Sequence, residues 1–178
     1  SCLGIRASAE TSNSISLQGH LETKYWSGVW SFKWDFHITS SSSVEISKEI
    51  NFDKIAAIES RGFVFASAVS YKLKRPLIMM RKKNKLPAEK LSVDFELEYG
   101  KATLEVHKDS INKNEKILII DDLIATGGTA EAGAKLVELC GGKVAGFIFI
   151  INLFDLGGNK KLIDKSYFTK SLIEFPGH

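Results

Sequence analysis

The stretch Ile119-Ile120-Asp121-Asp122-Leu123-Ile124-Ala125-Thr126-Gly127-Gly128-Thr129 decides how this chain is read. The run Ile117-Leu118-Ile119-Ile120 before the acids is continuously apolar rather than alternating, which marks a strand buried on both faces. It ends at Asp121, and a glycine-containing loop then opens a helix expected from Thr129 to Leu139, closed by Gly141-Gly142. Ligands of open α/β sheets sit at the carboxyl ends of the strands. Glycine tolerates positive φ, so the loop Ala125, Thr126, Gly127, Gly128, Thr129 can turn its backbone N–H groups toward one point. The helix adds its positive end, and the two threonine hydroxyls add donors. A phosphate monoester is the natural occupant. Asp121 and Asp122 would repel that phosphate; about one sugar away, they are placed to accept hydrogen bonds from ribose hydroxyls. The loop therefore implies a ribose 5-phosphate. It is neither a GxxxxGK[ST] loop nor a GxGxxG fingerprint.

Outward from this stretch the same alternation of elements recurs. Ile55-Ala56-Ala57-Ile58, Leu77-Ile78-Met79-Met80 and Val144 to Leu153 are further buried runs, and a helical stretch from Phe63 to Lys74 separates the first two. The expected fold is α/β, an open, mainly parallel sheet flanked by helices. A last strand is expected around Leu172-Ile173. Between Arg81 and Lys108 the pattern changes: Phe95 to Tyr99 and Thr103 to His107 alternate about a possible turn at Gly100-Lys101, which reads as an inserted hairpin. Long polar insertions of this kind are often lids or binding loops. From Lys72 to Lys90 there are eight basic residues and one acid, Glu89, a run suited to a polyanionic ligand.

The chain has 178 residues, 44% of them apolar and 25% charged, with a net charge of +3. Such a chain supports one hydrophobic core without disulfide staples, and global disorder is excluded. The small positive surplus does not indicate a nucleic-acid binder. No apolar run is long enough to span a membrane, no signal peptide is apparent, and Cys2 and Cys140 show no CxxC spacing, so a reducing cytoplasm is expected. Residues 1–49 differ in character from the regular core at 50–178: they hold all three tryptophans, Trp26, Trp30 and Trp34, and the serine run Ser40 to Ser43, with no sustained helical period.

The Asp-Asp-to-Thr129 string resembles the phosphoribosyl-diphosphate (PRPP) loop of type I phosphoribosyltransferases. Ile58-Glu59-Ser60-Arg61-Gly62-Phe63, Arg81-Lys82 through Lys85-Leu86-Pro87, Leu97-Glu98-Tyr99-Gly100 and Asn152 to Gly158 resemble the adenine-specific branch, in the same order along the chain. The resemblance implies transfer of phosphoribosyl from PRPP to adenine, giving AMP and diphosphate, by a homodimer with Mg²⁺ carried mainly on PRPP and no dedicated protein ligands for the metal. It also implies roles. Asp121 and Asp122 hold the ribose hydroxyls, and Ala125 to Thr129 the 5-phosphate. Leu123 lies against the purine. Arg61, Arg81, Lys82 and Lys85 meet the diphosphate, partly across the dimer interface. Glu98 and Tyr99 ride on the lid, with Glu98 and Asp122 read as catalytic. The N-terminal part departs from the family's base-covering hood: no proline precedes Pro76, and Phe32-Lys33 and Asp35 echo the hood only faintly. The alternatives are another purine specificity on the same chassis, or a non-catalytic PRPP-binding regulator.

Overall fold

A computed structural model of the chain describes residues 25–26, 29–30, 36–97 and 100–177. Two compact units divide between Lys33 and Trp34. In the first, strands β1 (Tyr25–Trp26) and β2 (Val29–Trp30) pair antiparallel. The second opens with helix α1 (Phe36–Lys48). Its strands are β3 (Lys54–Ile58), β4 (Leu77–Lys82), β5 (Lys90–Leu97), β6 (Gly100–His107), β7 (Lys116–Ile124), β8 (Lys143–Leu153) and β9 (Thr169–Phe175). Helices α2 (Gly62–Leu73), α3 (Gly128–Leu139) and α4 (Gly158–Asp164) connect them.

The seven strands form one sheet in the order β5-β6-β4-β3-β7-β8-β9. The neighbours β4, β3, β7, β8 and β9 run parallel, while β6 is antiparallel to both β4 and β5. The fold class read from the sequence is the one observed, with the hairpin extending the sheet at one edge. Period two sorts the apolar runs onto two faces. Ala56, Ile58, Ile78, Met80, Ile117 and Ile119 pack with α3 in one core, and Gly133 lets that helix settle, its Cβ position being only 3.4 Å from Ile58 Cδ1 and Met80 Sδ. The alternate residues Ile55, Ala57, Leu118 and Ile120 are equally buried on the opposite face, the side on which α2 lies.

Three features differ from the sequence reading. Strand β7 does not end at Asp121 but runs through both aspartates to Ile124. Gly100 pairs with Leu97 and so already belongs to the returning strand, earlier than the turn expected at Gly100-Lys101. The serine-rich stretch is helical. Thr39, Ser40, Ser43, Val44 and Ser47 form the buried side of α1, a helical spacing written in small polar residues. Ser43 and Ser47 donate their hydroxyls to the carbonyls of Thr39 and Ser43, four residues back, so these side chains can be buried without a partner elsewhere. The helix packs on α2, with the Phe36 and Phe65 rings 6.2 Å apart. The boundary expected after residue 49 thus lies just beyond a helix that belongs to the larger unit.

The start of the sheet is tied by a buried-edge ion pair. Lys54 Nζ on β3 lies 2.8 Å from Glu115 Oε2, which also accepts the Asn112 N–H at 2.7 Å. The hydrogen bond from Lys54 holds the Glu115 carboxyl down at about 2, against the opposing effect of burial and with help from Asn112. A carboxyl depressed in the folded state adds stability above its unfolded pKa of about 4.3 and loses it as the pH falls toward the folded value. Urea unfolding at a series of pH values is expected to show wild-type stability declining between about pH 4.5 and 2. Glu115→Gln should flatten that decline and lower stability at pH 7.

Candidate active site

The carboxyl ends of β3, β4 and β7 converge on one edge, as parallel pairing requires. The sequence-expected phosphate loop lies there. Gly127 has φ +84° and precedes α3 as its N-cap, and no side chain caps the helix. The first N–H groups of α3 therefore have no acceptor within the helix, and Thr126 to Ala130 line a cavity of about 480 Å³. The loop is held from behind by α4. Gly158 N donates to the Ala125 carbonyl at 2.9 Å, and a Cβ at Gly158 would fall 2.2 Å from that oxygen and 2.6 Å from Gly127 N. Gly157, at φ +74°, makes the turn that delivers Gly158 to this place. The segment Asn152 to Gly158 was noted in the sequence for its resemblance alone; its structural task is to back the phosphate loop.

The two aspartates are not equivalent. Asp121 is 8% exposed, accepts the N–H of Asp122 at 2.9 Å, and is crowded by α2, where a Gly62 Cβ would meet its Oδ1 at 2.8 Å. Burial pushes its carboxyl well above the usual range, and the neighbouring Asp122 charge adds to this. Asp122 reaches the cavity side and is ion-paired with Arg61 Nε. Arg61 itself is 75% exposed, so it is held at one end by Asp122 and otherwise reaches into solvent.

A second cavity of about 360 Å³ adjoins the first, with Asp121, Leu123 and Thr129 lining both. Glu59, Arg61 and Lys82 line its far side, and Phe95, Ala102 and Leu104 of the hairpin base form its wall. The hairpin reaches the phosphate loop as well: a Cβ at Gly128 would lie 2.9 Å from the Glu96 carbonyl. Leu123 thus stands between a phosphate cradle and a cationic pocket, half-buried. Of the expected basic residues, Arg61 pairs with Asp122, while Arg81, Lys85 and the Lys82 backbone meet at Glu59, a residue the sequence reading gave no role. Glu59, with its side chain 6% exposed, receives Lys85 Nζ at 2.9 Å and the Lys82 N–H at 2.8 Å, and Arg81 Nε lies 3.4 Å away. Burial raises the Glu59 carboxyl pKa, but the hydrogen bonds from Lys85, the Lys82 N–H and Arg81 outweigh it and leave the group below its ordinary value. An acid next to a basic run was the only available signal, and it does not reveal which cations fold back on it. Glu98 and Tyr99 lie outside the described residues, as do Phe32, Lys33, Trp34 and Asp35.

A helix N-terminus opened by Gly127, two adjacent carboxylates at the end of β7 and a cluster of cations at Glu59 lie along one edge of the sheet. Residues 37–177 match the family described as phosphoribosyl transferase domain. The chain belongs to that family and, within it, to the adenine phosphoribosyltransferases. It is 70% identical to the adenine phosphoribosyltransferase of Pelagibacter ubique over 135 residues, 76% of this chain and 77% of that protein. It is 48% identical to that of Cereibacter sphaeroides over 128 residues, 72% of each chain. The crystal structure of the Thermoanaerobacter pseudethanolicus adenine phosphoribosyltransferase superposes with a TM-score of 0.75 at 45% identity, covering 79% of this chain and 80% of that one.

Gly158→Ala tests the backing of the phosphate loop. The fold should persist, by circular dichroism, while calorimetric affinity for ribose 5-phosphate falls at least about tenfold, because the loop must move to admit the methyl.

Proposed function

We propose that the chain transfers the phosphoribosyl group of PRPP to adenine, forming AMP and releasing diphosphate. The carrying observation is the order of groups along one edge of the sheet: phosphate cradle, ribose carboxylates, then Arg61 and the cations gathered at Glu59. The Saccharomyces cerevisiae adenine phosphoribosyltransferase, 28% identical with a TM-score of 0.73, was crystallised with adenine and an imino-altritol bisphosphate; this chain covers 93% of it. The Trypanosoma brucei enzyme, 26% identical with a TM-score of 0.72, was crystallised with AMP, pyrophosphate and ribose 5-phosphate. Both sets of ligands suit the arrangement described here.

In this reading the purine nitrogen attacks the anomeric carbon as the bond to the diphosphate oxygen breaks. Positive charge grows on the ribose ring and negative charge on the leaving group. Asp121 and Asp122 lie on the ribose side, and Arg61, Arg81, Lys82 and Lys85 on the diphosphate side, so the fixed charges oppose the developing ones and need no reorganisation. Leu123 offers the purine an apolar seat. The N–H groups from Thr126 to Thr129 anchor the 5-phosphate and hold the anomeric carbon in register with the purine. Glu98 and Tyr99 are assigned to the reacting centre and its closure on the family resemblance, closure excluding water that would otherwise hydrolyse PRPP.

Mg²⁺ belongs to this reading as a companion of PRPP. Carried mainly on the PRPP diphosphate and ribose hydroxyls rather than by dedicated protein ligands, it would neutralise charge on the departing diphosphate. A homodimer is supported by Val64 and Tyr71, which share a face of α2, and by Met79 on the side of the sheet that α2 covers; all three leave large apolar side chains in solvent. Residues 50–178 are assigned to the catalytic core and residues 1–49 to an N-terminal segment distinct from it in sequence character. A cytoplasmic setting fits the free, half-buried Cys140, whose thiol burial pushes upward, and no described helix is long and apolar enough to cross a membrane. Neither nucleic acid nor a membrane enters as a partner.

AMP and diphosphate formation from PRPP and Mg²⁺ with adenine, hypoxanthine or guanine tests the reading. Turnover is expected with adenine alone, and Asp122→Asn should reduce kcat/KM by about a hundredfold or more, an interaction of the charged transition state being lost. Turnover of hypoxanthine or guanine at a comparable rate would overturn the adenine assignment.

A further inference from the structure

The basic loop that follows β4 is gripped at both ends by buried carboxylates. At its start Glu59 takes Lys85 Nζ and the Lys82 N–H, with Arg81 beside it. At its far side Glu105, whose side chain is 3% exposed, accepts the Asn84 N–H at 3.0 Å and lies 3.2 Å from Lys90 Nζ. Glu105 stands directly opposite Arg81 across the β4–β6 pair. The loop closes on itself through Arg81 Nη1, which donates to the Lys85 carbonyl at 3.2 Å.

The economy of this arrangement needs explaining. A carboxylate buried to 6% or 3% exposure is costly unless its charge is matched, and plain surface lysines would have met a polyanion without any buried acid. Surface cations on a loop repel one another and spread into water, where each loses rotamer freedom on binding. An acid beneath them reverses that tendency. It draws Arg81 and Lys85 to one place before any ligand arrives. Lys85 remains 49% exposed and Arg81 31% exposed, so both still present donors outward.

We propose that Glu59 is a positioning residue for the leaving group: it holds Arg81 and Lys85, and through the Lys82 N–H the backbone of the same loop, in a preformed diphosphate seat, with Glu105 fixing the loop's other end. The inference rests on the phosphoribosyltransferase reading of the site. It assigns to Glu59 affinity for the diphosphate end of PRPP and none for the 5-phosphate end, which the Ala125 to Thr129 loop holds separately.

Calorimetry with inorganic diphosphate and with ribose 5-phosphate, both in Mg²⁺ buffer, separates the two ends. In Glu59→Gln, diphosphate affinity is expected to fall about tenfold, the charge-assisted contacts that collect the cations being lost. Ribose 5-phosphate affinity should be unchanged, and kcat/KM for PRPP should fall at least in proportion to the diphosphate loss. A residue that only stabilised the fold would lower Tm and leave this split unmoved. Glu59→Asp, which keeps the charge but withdraws it by one methylene, should lose less and in the same pattern, and it carries the test if Glu59→Gln does not fold. Unchanged or tighter diphosphate binding in a folded variant overturns the proposal. A wild-type protein that binds neither ligand overturns the reading of the site and the proposal with it.

Discussion

The site depends on backbone meeting backbone more closely than any side chain permits. Gly158 touches the phosphate loop at Ala125 and Gly127, Gly62 lies against Ile120 and Asp121, and Gly128 lies against Glu96 of the hairpin. Each contact joins the end of β7 to a different neighbour: α4, α2 and β5. A methyl at any of them would collide with backbone or a fixed carboxylate at under 3 Å, and well-packed interiors have little room to yield. These approaches bring the N–H groups, the ribose carboxylates and the hairpin wall onto one edge of a sheet whose interior is otherwise apolar.

On that scaffold the charges alternate. Arg61 is held by Asp122 of β7, Lys85 and Arg81 by Glu59 just after β3, and Lys90 by Glu105 of β6. Each pair joins segments distant in the chain. Exposed ion pairs contribute little to stability, so their value here is geometric: each acid is more buried than the base it holds, and the bases keep part of their surface in solvent. Groups arranged in this way before the substrate arrives need not reorganise as the leaving group gains charge.

Much of the molecule was legible in the chain. Continuous apolar runs at Ile55, Leu77, Ile117 and Val144 became the parallel strands; β3 and β7 are buried on both faces as such runs imply, while β4 leaves Met79 exposed on one. The phosphate loop was legible because glycines, hydroxyls and acids follow one another without interruption. Helix α1 was not. Its buried side is threonine and serine, which read as linker until their hydroxyls are seen bonding the preceding turn. Glu59 was not either, since its partners lie more than twenty residues away and depend on where β4 ends relative to β3.

Local chemistry along the chain was enough to specify an α/β sheet, a glycine-containing strand–loop–helix and a basic run, because each of these is written in consecutive residues and obeys a short-range rule of periodicity or φ. Which aspartate is buried, which acid collects the cations and what stands behind the phosphate loop were settled by the packing of segments distant in sequence. Burial and pairing are properties of neighbours in space, and the order of strands across the sheet is what makes Glu59 the neighbour of Lys85, and Gly158 the neighbour of Ala125.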